Sequence, residues 1–68
     1  MEIKQMIKEA LIKKLEGDIA SARADLLIFL NNPIGVADHI EYIATAEKKL
    51  ETLANSQDKL NALKNIGK

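Results

Sequence analysis

One stretch decides what this chain can fold into: Asn31-Asn32-Pro33-Ile34-Gly35-Val36-Ala37-Asp38-His39 is the only place where turn-forming residues cluster. Proline has no N–H to give and clashes with the preceding turn, so a helix arriving from Leu30 cannot run through Pro33 undisturbed. Asn32, the residue before it, is pushed towards extended backbone. Asn31 or Asn32 tolerates the left-handed conformation that closes many helices, and Gly35 offers a second site for positive φ. Beyond the turn, Asp38 is placed to cap a new helix, with Glu41 three residues on as the acidic partner of a capping box. Both acids suit the positive end of the helix dipole. The stretch divides the chain into two nearly equal halves, so it reads as the bend of a helical hairpin.

The flanks are helical by pattern. Residues 3–30 contain no proline and one glycine, with Leu, Ile, Lys, Glu and Ala predominating. Ile3, Ile7, Leu11, Leu15, Ile19, Ala22, Leu26 and Phe29 or Leu30 recur at steps of three or four. The opening steps are all fours, each about 40° beyond a full turn, so this stripe drifts around the helix until Ile19. Residues 3–10 are therefore expected to face elsewhere than residues 11–30. Gly17, beside Asp18, is expected to leave a gentle defect in one long helix rather than a true turn. In the second half, Val36, Ile40, Ile43, Ala46, Leu50, Leu53, Gln57, Leu60 and Leu63 form a narrower stripe. The expected organisation is one all-α domain over residues 1–68, with a helix about 3–30, a bend at 31–38 and a helix about 39–65.

The run Leu26-Leu27-Ile28-Phe29-Leu30 puts five large apolar residues all the way round a helix, more than one neighbouring helix can cover. In a chain of sixty-eight residues a long two-helix hairpin buries only one stripe per helix and leaves the rest wet. Copies of the chain are expected to supply the missing cover. The expected product is a homodimer forming a four-helix bundle, with Leu11, Leu15, Ile19, Leu26, Leu27, Phe29 and Leu30 at the self-association interface. Asn32, Pro33, Gly35, Asp38 and Glu41 are assigned to the bend and its caps.

Charge excludes little but directs the rest. Ten basic residues balance ten acidic ones. Residues 1–16 carry four Lys against three Glu, residues 17–45 one Arg against four acids, and residues 46–68 five Lys against three acids. A hairpin's open end is thus about three units positive and its bend end about three negative. That field is weak for nucleic acid, which calls for a basic face. Binding of nucleic acid or an anionic membrane through Lys4, Lys8, Lys13, Lys14, Lys59 and Lys64 is kept as the alternative to a protein-interaction role. Residues 1–15 form a mildly basic amphipathic segment, diluted by acids, that suits a bundle better than a membrane surface.

Chemistry has little purchase. Asp38, His39, Glu41 and Tyr42 are the only grouping with catalytic residue types. Neighbours at a helix start do not converge as a ligand set, and there is no second His and no Cys. Gly-rich phosphate loops, HExxH and calcium loops are absent from the sequence. The expectation is a non-enzyme without cofactor or metal. The start Met1-Glu2-Ile3-Lys4 lacks a secretory pattern and no apolar run approaches the roughly 20 residues that span a bilayer, so a soluble cytoplasmic protein is expected.

The string Ala24-Asp25-Leu26 through Asn31-Asn32-Pro33-Ile34-Gly35-Val36 to His39, with Ala46-Glu47-Lys48-Lys49-Leu50 and Asp58-Lys59-Leu60 downstream, resembles small uncharacterised proteins of tailed phages infecting marine bacteria. There a "YLNNPVG" bend with a nearby His joins two helices; here Phe29 stands for the aromatic residue, at a shifted position. The resemblance implies a helical hairpin, a phage or environmental source and residence in the host cytoplasm. It implies no catalytic residues.

Overall fold

A computed structural model describes residues 2–32 and 39–66, with backbone only at His39 and Ile40. Two helices account for almost all of it: α1, Ile3–Leu30, and α2, His39–Asn65. They pack against one another as a hairpin, giving a rod with principal extents of 55 × 17 × 13 Å. No strand occurs among the described residues.

α1 starts without a side-chain cap: Glu2 has extended backbone, and its carbonyl accepts from the Met6 N–H at 3.0 Å. It then runs unbroken through Gly17. Its end is well satisfied. The Leu27 carbonyl accepts from both the backbone N–H of Asn31 at 3.1 Å and its side-chain Nδ2 at 2.8 Å. Asn31 closes the helix in the right-handed region (φ −92°, ψ 0°), not the left-handed one expected for it or Asn32. Pro33, Gly35 and Asp38 lie outside the described residues, and with them the expected capping box; Glu41 is exposed in the first turn of α2, favourably placed on the dipole.

The contact between the helices follows a strict alternation of four and three. On α1 the line runs through Lys8, Ile12, Leu15, Ile19, Ala22, Leu26 and Phe29, and on α2 through Tyr42, Ala46, Lys49, Leu53, Ser56, Leu60 and Leu63, all withdrawn from solvent; Asp18 and Gln57, each next to a residue of the line, are partly withdrawn as well. A repeat of seven keeps one line of side chains facing its partner over the whole length, the condition for a coiled-coil seam. Phe29 lies by Tyr42 and Asp25 by Lys49, so the register is antiparallel.

This seam departs from the apolar stripes of the sequence at both ends. Ile3, Ile7 and Leu11 are exposed, Ile7 by 63%, because steps of four carry them round α1 and only Leu15 enters the contact line. On α2, Ile43 and Leu50 are 55% and 54% exposed, each displaced about 100° by the residue before it, Tyr42 or Lys49. Those two enter the seam because Phe29 and Asp25 opposite give them a ring and a carboxylate to meet. Val36 lies outside the described residues.

What results is a hairpin almost without a core. Leu15, 5% exposed, is the only buried apolar side chain among the described residues, and Ser56 the only buried polar one. Of the run at the end of α1, Leu26 and Phe29 turn inward, while Leu27, Ile28 and Leu30 stay exposed.

Candidate interaction surface

The bend end of the rod is fastened by a small polar and aromatic cluster. The rings of Phe29 and Tyr42 stack with centroids 4.5 Å apart and 19° between planes. The Tyr42 hydroxyl donates to the Phe29 carbonyl at 2.8 Å, satisfying one of the acceptors that the end of α1 leaves without an intrahelical donor. Asn32 donates to the same carbonyl at 3.3 Å. Lys49 runs its stem along the seam, sets Nζ 5.4 Å from the Phe29 ring centroid and donates to Asp25 Oδ2 at 2.8 Å. These contacts fix the register of the two helices. They form no reaction centre.

Two faces remain apolar and uncovered. The first is the side of α1 turned away from α2. Ile3, Met6 and Ile7 lie on it near the open end, Leu27 and Ile28 near the bend, all at least half exposed, with Ile28 at 72%. Gly17, Ala20, Ser21 and Ala24 form its small-residue middle, beside the long stems of Lys13 and Lys14. Lys14 is tied to Asp18 at 2.8 Å. The second face is narrower: Leu30, Ile43 and Leu50 each follow a seam residue by one and line a single edge of the rod. The opposite edge carries a shallow groove between Ala22, Asp25, Thr45, Lys48, Lys49 and Thr52, with a polar rim.

The seven residues expected at a self-association interface are therefore split. Leu15, Ile19, Leu26 and Phe29 are occupied in the contact between α1 and α2, and Leu11, Leu27 and Leu30 are exposed. Ile3, Met6, Ile7 and Ile28 belong with the exposed set and were outside it; counting from the contact line rather than from the longest apolar stripe finds them.

The lysines considered for an anionic partner are scattered. Lys8 is drawn into the seam, Lys14 is held by Asp18, and Lys13 lies on the outer side of α1. Lys59 and Lys64 lie on opposite edges of α2, five residues and about 140° apart. No one face gathers them. Among the described residues there is no group of three or more His, Cys, Asp or Glu able to hold a metal, and no helix long and apolar enough to cross a membrane. The His39 side chain lies outside the described residues.

No protein-family model, curated protein or solved structure matches this chain.

Proposed function

We propose that this chain is a non-enzymatic, self-associating helical hairpin that works as a protein–protein interaction module. Two hairpins join through the more apolar α1, four helices in all. One observation carries the reading: a 68-residue rod exposes 5529 Å², with Leu15 as its one buried apolar side chain among the described residues. A compact chain of 7.5 kDa exposes about 4,200 Å². The surplus, on the order of 1,300 Å², exceeds the roughly 800 Å² each partner commits to a standard interface. Apolar side chains this numerous and this exposed are stabilised by removal from water.

The bend motif, through its resemblance to phage proteins, supports an accessory role in a host cytoplasm with a protein as target. The test is affinity capture of the tagged wild-type chain against a variant carrying Ile7→Asp and Ile28→Asp. The reading expects a protein partner retained by the first and lost by the second. Salt-sensitive retention of nucleic acid or anionic vesicles by both chains would favour the charge-based alternative instead.

A further inference from the structure

The apolar pattern on the outer face of α1 is symmetric about Gly17. Ile7 lies ten residues before it and Leu27 ten after; Met6 and Ile28 stand eleven away on either side, Ala10 and Ala24 seven. Gly17 also sits at the middle of the helix Ile3–Leu30. Two copies of α1 laid antiparallel, with a two-fold axis at Gly17, overlap over their whole length and bring Met6 and Ile7 of one level with Ile28 and Leu27 of the other, while Ile3 comes level with Asn31.

We infer that the second copy docks in this way, α1 on α1 with Gly17 facing its own counterpart. The inference rests on the self-association reading and gives it a geometry. Charge favours the antiparallel choice. Residues 17–45 carry four acids against one Arg, while the remaining residues carry nine Lys against six acids. Antiparallel docking sets the acidic bend end of each hairpin against the lysine-rich open end of the other; a parallel pair stacks like on like. Gly17 fits the axis. A Cβ built there meets nothing within 4 Å, so the hairpin itself gives no steric reason for glycine in mid-helix. The small middle, Gly17 to Ala24, lets two backbones approach closely, while the stems of Lys13 and Lys14 reach outward past it. The four helices then lie with the two α1 at the centre and one α2 on each flank.

The chain has no cysteine, which makes cross-linking clean. Met6→Cys and Ile28→Cys variants, mixed and oxidised, are expected to give a disulfide-linked dimer that neither variant gives alone, because eleven residues return each side chain to within about 20° of the direction in which Gly17 faces. Self-linking of each variant alone, or no linking in a mixture that sizes as a dimer, overturns the antiparallel axis and leaves self-association standing. A mixture that sizes as a monomer overturns both. Gly17→Leu gives a second readout. Because the site is open in the hairpin, the variant should keep its helical content and lose the dimer. A Gly17→Leu chain that dimerises as tightly as wild type contradicts the placement of the axis.

Discussion

Tyr42 and Phe29 are joined twice: their rings stack at 4.5 Å, and the Tyr42 hydroxyl donates to the Phe29 main-chain carbonyl at 2.8 Å. The side chain that opens the seam on α2 therefore also terminates α1. Removing the hydroxyl alone separates the two roles. Tyr42→Phe should cost about 1 kcal/mol, one net hydrogen bond, with the stack retained. Tyr42→Ala should cost about 3 kcal/mol or more, since it also empties the ring's place in the seam. Urea unfolding followed by circular dichroism checks both values.

Lys49 is held by Asp25 and by the face of Phe29, but Asp25 is exposed, so the ion pair is screened. Asp25→Asn is expected to change stability by less than about 1 kcal/mol, with the difference fading in high salt. Lys49→Met keeps the stem in the seam and should be equally mild. Lys49→Ala should be the worst of the three, because it removes packing as well as charge.

Leu15 and Leu11 look equivalent in the sequence, being successive members of one stripe. The fold buries the first and exposes the second. Leu15→Ala is expected to cost roughly 2–5 kcal/mol, enough to abolish cooperative unfolding in a chain with so little core. Leu11→Ala should fall below about 1 kcal/mol in the same assay. Equal effects at the two positions would show that the seam runs elsewhere.

Gly17→Ala tests helix propensity apart from association. The added methyl meets nothing within 4 Å. At protein concentrations low enough to dissociate any dimer, the variant should be more helical and more stable by about 1 kcal/mol, the ordinary difference between Gly and Ala in a helix interior.

The hairpin was legible because its signals are local. The turn-forming residues Pro33 and Gly35 interrupt the sequence pattern once, and a strong helical pattern flanks them on both sides. The seam was only half legible. On α2 its repeat passes through Lys49 and Ser56, polar residues that hide a contact line, while Ile43 and Leu50 beside it advertise a false one. Deciding between them requires α1, where Phe29 and Asp25 favour Tyr42 and Lys49. The outer face of α1 was visible only as excess apolar residues, because drift of the Ile3, Ile7, Leu11 series ties it in sequence to the very stripe that Leu15 carries inward. The Phe29 carbonyl as acceptor for Tyr42 had no sequence signal, since the bond joins residues thirteen apart through a main-chain atom.

The central claim is that one hairpin exposes more apolar surface than it can sustain alone. Light scattering coupled to size exclusion, over a dilution series of the wild-type chain, measures this directly. The account predicts twice the 7.5 kDa of one chain at high concentration, with thermal stability falling as dilution splits the pair. A particle of one chain's mass at every concentration, melting cooperatively at an unchanging temperature, would contradict it.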